Sequence, residues 1–136
     1  MDKASLDSAL RAAAASLGAS PGAVKKPKRG NVSLTVLWLR PEPVTVRADP
    51  ARGVLVLEDY LPFVLAGGKL HQRLKVFIGD KVKLVSRNGH LSLAAPGGDD
   101  WGAALAALLD VARETSTMLQ EEWPDYASGV FAPALA

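Results

Sequence analysis

The chain has 136 residues and a formal net charge of +2 at pH 7, and it contains no cysteine. This length fits one domain, and the lack of cysteine excludes disulfides, zinc–thiolate sites and thiol catalysis. No apolar stretch approaches the roughly 18–20 residues of a membrane-spanning helix, and the N-terminus lacks a basic region followed by an apolar one. We therefore predict a cytoplasmic protein with no cofactor and no membrane partner.

The charge is distributed unevenly along the chain. Residues 1–94 contain 15 Lys and Arg against 7 Asp and Glu, whereas residues 95–136 contain only Arg113 against 7 acidic residues. This asymmetry has three readings: a part that faces a polyanion, two subunits that attract each other, or chance segregation in a small protein.

The N-terminal residues 3–17 predict a helix, because their apolar residues recur at helical spacing. The apolar face consists of Leu6, Leu10, Ala13 and Leu17. Gly18 ends the helix, and a Ser-, Pro- and Gly-containing loop follows over residues 18–30. Residues 18–22 match the G-x-S-x-G pattern of hydrolases, but they follow a helix instead of a strand. We interpret them as a helix-terminating turn without a catalytic serine.

Three segments then predict β-strands, since they are rich in β-branched and apolar residues and two of them alternate clearly with polar residues. They are Asn31–Leu39, Val44–Ala48 and Val54–Leu57. The connections between them are too short for parallel crossovers, so we expect an antiparallel meander.

The segment that follows the meander is ambiguous between helix and strand. Leu70, Leu74, Phe77 and Ile78 fit one helix face, while Leu74, Val76 and Ile78 also fit a strand. Gly67 and Gly68 indicate that a new element begins at Lys69. A helix is favoured here, because it lets the chain cross the sheet before the next strands.

A β-hairpin is predicted around Asn88-Gly89, the dipeptide that best suits a two-residue turn with positive φ at both positions. In this register Ser86 faces Leu91 and Leu84 faces Leu93, with Val82 opposite Ala95. The side chains expected in the core are Leu84, Leu91 and Leu93, and those expected in water are Lys83, Arg87 and His90.

The last large element is a long helix that begins after an N-cap at Asp99 or Asp100 and runs to about Glu122. Pro124 is expected to stop it, which leaves residues 125–136 as a short tail. Its apolar stripe is broad, and at about 1.5 Å per residue the helix outruns a sheet with strands about 4.8 Å apart. Part of the stripe is therefore expected to overhang and to contact a partner, and the candidate interface residues are Leu105, Leu109, Leu119 and Trp123.

Few residues have the surroundings that catalysis or metal binding requires. The two histidines, His71 and His90, have cationic sequence neighbours and are expected in solvent. No acidic residues have metal-ligand spacing, so no catalytic or metal-binding residue is predicted. Glu121 and Glu122 lie at a helix C-terminus, where acidic residues are mildly unfavourable, so we expect a contact with a cation elsewhere.

The basic residues form the strongest candidate for a binding site. A polyanion such as DNA or RNA selects arrays of cations, because each neutralised phosphate releases counterions. Few aromatic residues alternate with these cations, so base stacking has weak support, and a plain solvated surface is the alternative. The candidate nucleic-acid-binding residues are Lys25, Lys26, Lys28, Arg29, Arg47, Lys83 and Arg87.

Together these elements predict one α+β domain over residues 1–124, with a tail over residues 125–136. The expected fold is a five-stranded antiparallel sheet, a meander plus a hairpin, with N-terminal, central and long C-terminal helices on one side. The order of elements from Lys3 to about Trp123 resembles that of the YbjN family and of the type III secretion chaperones. The resemblance carries no residue motif.

The resemblance implies a non-enzymatic dimer that holds another protein. Secretion chaperones tend to be acidic, whereas this chain has a basic body, which is a departure from that class. The first hypothesis is therefore a non-catalytic, dimeric adaptor or chaperone-like protein-binding module. The alternative is a nucleic-acid-binding protein that uses the basic loop at Lys25–Arg29 and one face of the sheet.

Overall fold

The computed structural model describes residues 3–18, 20–21, 33–38, 44–65, 67–97 and 100–130. Within these ranges the protein is an α+β fold with an open antiparallel sheet. Its four helices are α1 (Lys3–Ser16), α2 (Lys69–Ile78), α3 (Trp101–Glu122) and α4 (Pro124–Val130).

The described residues form six β-strands in one sheet, with the order β1-β2-β3-β4-β6-β5. The strands are β1 (Ser20–Pro21), β2 (Ser33–Trp38), β3 (Val44–Asp49), β4 (Val54–Leu61), β5 (Lys83–Arg87) and β6 (His90–Pro96). The predicted number of five strands was wrong. The short β1 pairs with the end of β2, and its proline is compatible with an edge position because an edge strand leaves N–H groups unpaired.

The meander and the hairpin join through β4 and β6, which are not consecutive in sequence. The chain leaves β4, passes through α2 and returns at the outer edge as β5, so that β6 fills the place beside β4. The ambiguous segment is a helix that begins at Lys69, as favoured from the sequence. His71, Leu74 and Ile78 form its buried face.

The hairpin has the register predicted from Asn88-Gly89. Ser86 pairs with Leu91 and Leu84 with Leu93, and φ is 51° at Asn88 and 78° at Gly89. Positive φ at both positions is what a type I′ turn requires. The regular pairing begins at Lys83, so Val82 lies just outside the strand, although its side chain is buried.

An irregularity in β4 changes which side chains enter the core. The pairing with β6 shifts between Leu57 and Leu61, and Asp59 between them has φ of 48°. Its backbone N–H donates to Ser92 Oγ over 3.0 Å. A bulge of this kind breaks the alternation of a strand. As a result Tyr60 and Leu61 are both buried, although they are adjacent.

One face of the sheet supplies the core. Side chains of β3 alternate between buried and half-buried, whereas β4 and β6 each contain three consecutive buried residues. The inward set packs with residues of all four helices in one hydrophobic cluster. From the strands this cluster includes Val46, Leu57 and Leu93. The opposite face includes Arg47, which follows from the two-residue period of a strand.

The helix α3 begins where the sequence predicted. Asp100 is its N-cap and accepts a hydrogen bond from the backbone N–H of Ala103 over 3.0 Å. The overhang predicted for its apolar stripe was wrong at Leu105, Leu109 and Leu119, because these side chains are fully buried within the chain. Besides the sheet, α3 packs against α1, α2 and α4. The predicted arrangement had three helices and lacked α4.

The tail predicted after residue 124 is instead the helix α4 as far as Val130. Pro124 ends one helix and begins the next, since proline is tolerated in the first turn, where its missing N–H has no acceptor. Ala127 and Val130 are buried in the core. The predicted domain limit at residue 124 is therefore too short, and residues 131–136 lie outside the described residues.

We expect Leu93→Ala to lower the free energy of unfolding by about 2–5 kcal/mol, because it opens a cavity in the core. The matched control is Lys83→Ala on the neighbouring strand, whose exposed side chain should change stability by less than about 0.5 kcal/mol. Urea denaturation measures both values. A larger loss for Lys83→Ala than for Leu93→Ala would contradict the observed register.

Candidate protein-binding surface

The segment between β4 and α2 exposes two large apolar side chains. Phe63 is 82% exposed and Leu65 is 74% exposed, while Val64 between them is only 2% exposed. We call residues 62–65 the Phe63 loop. A third large exposed apolar side chain, Val76 at 75%, lies apart on the surface of α2.

Three hydrogen bonds fix the backbone of the Phe63 loop. The Tyr126 hydroxyl on α4 donates to the Pro62 carbonyl over 2.8 Å. The Val64 N–H donates to the Gly89 carbonyl in the hairpin turn, also over 2.8 Å. The Gly68 N–H donates to the Leu65 carbonyl over 3.3 Å. The loop is thus anchored to α4, to the hairpin and to the start of α2.

Phe63 adopts a backbone conformation that is unfavourable for a bulky residue. Its φ is 59°, in the left-handed region that non-glycine residues seldom occupy. Such conformations cost on the order of 1–3 kcal/mol and persist where the surroundings impose them. Here the next residue, Val64, is buried and hydrogen-bonded to the hairpin turn, while the Phe63 side chain is exposed to solvent.

The Phe63 ring lies beside the hairpin. Its centroid is 5.8 Å from that of His90, with the two rings tilted by 44°. His90 pairs with Arg87 across the hairpin, and paired residues point to the same face of a sheet. An aromatic ring, an imidazole and a guanidinium therefore cluster at this end of the molecule.

The structure separates the predicted nucleic-acid-binding residues. Lys25, Lys26, Lys28 and Arg29 lie outside the described residues. Arg47 forms ion pairs with Glu58 and Asp49, so its charge is neutralised locally.

The two remaining candidates, Lys83 and Arg87, are both exposed on the edge strand β5. A row of cross-strand partners runs from Arg47 through Val56 and Ala94 to Lys83. Three strand spacings of about 4.8 Å place Arg47 and Lys83 roughly 14 Å apart on one face. Of the predicted cations that the structure describes, Lys83 and Arg87 remain available to a partner.

Ion pairs within the fold neutralise part of the uneven charge of the chain. Arg73 on α2 donates from Nε and Nη2 to the two carboxylate oxygens of Glu122 on α3, over 2.8 and 2.7 Å. Lys81 pairs with Glu114 over 3.0 Å, and both cations approach the Phe77 ring. The expected contact between the acidic end of α3 and a cation is confirmed at Glu122. The basic segment around α2 and the acidic α3 thus attract each other inside one chain.

The Arg73–Glu122 pair changes the protonation of its carboxylate. The hydrogen bonds from Arg73 lower the pKa of Glu122 below its ordinary value; partial desolvation opposes this shift and the nearby positive charge adds to it. Because the folded-state pKa lies below the unfolded one, the pair stabilises the fold above the unfolded pKa. That contribution is lost as the pH falls through the lowered value.

The histidines differ from the expectation that both are in solvent. His71 is 9% exposed and belongs to the buried face of α2, one turn before Leu74 and Lys75. His90 is half-buried beside the Phe63 ring. The predicted interface residue Trp123 is half-buried against the core, so it is partly accessible, unlike its three partners in the predicted set.

Phe63 and Leu65 are absent from the binding residues predicted from the sequence. The available signal was two large apolar side chains directly after Pro62, outside any periodic element. Among the described residues, no group of three or more His, Asp or Glu side chains is placed to hold a metal ion. Within the same ranges, none of the helices combines the length and apolar character needed to cross a bilayer.

Comparison of the chain with family models, with curated proteins and with solved structures finds no match. The resemblance to the YbjN family and the type III secretion chaperones therefore stays a prediction.

We expect Arg73→Gln to return the pKa of the Glu122 carboxyl to the ordinary range of glutamate, because the two hydrogen bonds and the nearby charge are removed. A carbon-detected NMR titration of the side-chain carboxyls measures this. Lys69→Gln, which removes a positive charge from the same helix, is the matched control and should leave the Glu122 midpoint in place. An unchanged midpoint in Arg73→Gln would show that the pair does not form in solution.

Proposed function

We propose that the protein is a non-catalytic protein-binding module, an adaptor or chaperone-like protein, and that it forms a homodimer. The observation that carries the proposal is the Phe63 loop. Its backbone is fixed by three hydrogen bonds while Phe63 and Leu65 remain in solvent. Large apolar side chains that a rigid loop holds in water are typical of protein-binding surfaces.

The energetics favour this loop as a contact surface. Removing an exposed Phe or Leu side chain from water stabilises a complex by about 1.5–3 kcal/mol per residue. Because the loop backbone is already ordered, binding costs less conformational entropy than it does for a flexible loop. The strained φ at Phe63 is also typical of residues that the surroundings hold in place for binding.

Two cations on the edge strand β5 would form a charged rim around the Phe63 loop. Lys83 and Arg87 are exposed on β5, and Arg87 lies across the hairpin from His90, which contacts Phe63. Apolar anchors at the centre with charged residues at the rim are the usual arrangement of a protein interface. A partner surface with an apolar pocket and acidic surroundings fits this arrangement.

We expect the wild-type protein to sediment as a dimer at tens of micromolar and Phe63→Ser to raise the dissociation constant at least about tenfold, since one anchor of each copy is lost. Val76→Ser is the matched control, because Val76 is equally exposed but lies on α2, away from the loop. Sedimentation velocity over a concentration series measures both.

A wild-type protein that remains a monomer at tens of micromolar would overturn the homodimer. The loop is then tested against other proteins by a nuclease-treated pull-down from native cytoplasm, with wild type, Phe63→Ser and Val76→Ser as baits. The protein-binding proposal requires a defined partner that Val76→Ser retains and Phe63→Ser loses. Identical recovery with all three baits would contradict it.

Nucleic-acid binding is the second candidate function, and one observation favours it. The Phe63 and His90 rings lie beside Arg87 at one end of the sheet, and exposed aromatic rings next to cations are typical of surfaces that bind single strands. The neutralised charge of Arg47 weighs against a continuous basic face. The loop at Lys25–Arg29 supplies further cations to this hypothesis.

If single-stranded nucleic acid binds here, its affinity should fall steeply with salt, and the double variant Lys83→Glu, Arg87→Glu should flatten that slope. Fluorescence anisotropy with labelled single-stranded DNA and RNA measures the slope. Lys69→Glu serves as the charge-matched control on α2. Absence of binding at about 50 mM salt would exclude this candidate.

A further inference from the structure

A groove lies between the second half of α2, the connection after it and the edge strand β5. It has a volume of about 590 Å³ and is open to solvent on one side. This is within the range of roughly 300–1,000 Å³ that small-molecule sites occupy. No residue of the Phe63 loop lines it, and Lys83 is the one residue that it shares with the rim proposed for the protein-binding surface.

Cations dominate the charged lining of this groove. Lys75, Lys81 and Lys83 line it together with one carboxylate, Asp80. Lys81 is already paired with Glu114. For Lys75 and Lys83 the described part of the chain contains no ion-pair partner. One lysine of the helix and one of the strand therefore line this groove without a counterion from the described part of the chain.

His71 adds a second and independent feature. It lines the same groove one helical turn before Lys75, and residues four apart lie on the same helix face. Its side chain is more than nine-tenths buried, and its Nδ1 has no hydrogen-bond partner among the described residues. Most buried polar side chains are hydrogen-bonded, so the missing partner of this Nδ1 leaves an unsatisfied polar side chain beside the groove.

We propose that this groove binds a small molecule through a phosphate group. A phosphate monoester carries a charge of about −1.5 to −2 near pH 7, which matches the two unpaired ammonium groups of Lys75 and Lys83. Lysine binds phosphate as a compact point charge. The Ser86 hydroxyl, which also lines the groove, is the hydrogen-bonding group for the phosphate oxygens.

The uncharged residues that line the groove would contact the rest of the ligand. Val82, Leu84, Ala94 and Pro96 also line the groove. Polar groups at one part of a pocket with apolar walls elsewhere are the usual composition of a small-molecule site. A phosphate monoester with a compact apolar group therefore fits better than inorganic phosphate alone.

Isothermal titration calorimetry with phenyl phosphate, inorganic phosphate and benzoate tests this assignment. We expect phenyl phosphate to bind more tightly than either of the other two. Lys75→Gln and Lys83→Gln should each weaken it about tenfold, since each removes one charge-assisted contact. Lys69→Gln is the matched control, because it removes a lysine of α2 that does not line the groove, and it should bind as the wild type does.

NMR locates the bound phenyl phosphate, and an oligonucleotide tests whether the groove binds a polynucleotide instead. Phenyl phosphate should shift the signals of the His71 ring, and Phe63→Ser should bind it normally, which separates this proposal from the proposed function. No heat and no shift at millimolar phenyl phosphate would overturn it, as would equal binding by Lys75→Gln, Lys83→Gln and wild type. An oligonucleotide without a terminal phosphate is the competitor. If it binds more tightly than phenyl phosphate, and if Lys75→Gln and Lys83→Gln abolish its binding, the groove binds a polynucleotide and the small-molecule proposal is overturned.

Discussion

The pairing of β4 with β6 is the interaction on which the rest of the fold depends. It joins a meander and a hairpin that are separated in sequence by α2, and it makes one continuous sheet of them. Leu57 and Leu93 face each other in this pair and are both fully buried beneath the helices. Without it the hairpin would be an isolated two-stranded sheet, which is marginally stable in water, and the meander would end in an open edge at β4.

The same strand pair also determines where the exposed loop lies. The bulge at Asp59 turns the end of β4 so that Tyr60 and Leu61 both enter the core. The Tyr60 hydroxyl then donates to the Ala112 carbonyl in the middle of α3, over 2.9 Å. This bond ties the end of β4 to α3, and the next residues form the Phe63 loop beside the hairpin turn.

Local chemistry explains which elements could be predicted from the sequence. The hairpin follows from Asn88-Gly89, because few other dipeptides accept positive φ at both positions. The start of α3 follows from an aspartate that can cap a helix. These features depend on neighbouring residues alone, and the structure confirms them together with the helical assignment of residues 69–78.

The features that were missed depend on residues far apart in the chain. A two-residue strand such as β1 has no periodicity of its own, and its pairing with β2 gives it its conformation. The helix α4 follows a proline that is both a stop and a start signal, and its burial in the core decides between them. The interface predicted at Leu105, Leu109 and Leu119 failed because helix length was compared with sheet width alone, without α1 and α4. The Phe63 loop follows the bulge in β4, but it also needs the hairpin and Tyr126, which are distant from it in sequence.

The bond between Tyr126 and Pro62 has a consequence for the order of events during synthesis. The two residues are separated by 64 positions in sequence, and a domain is made from its N-terminus onward. The strand that precedes the loop leaves the ribosome long before the helix that anchors it. Until Tyr126 has emerged and α4 has docked, the loop lacks one of its three anchors. The exposed apolar side chains are therefore fixed in their final geometry only when nearly the whole described chain is available.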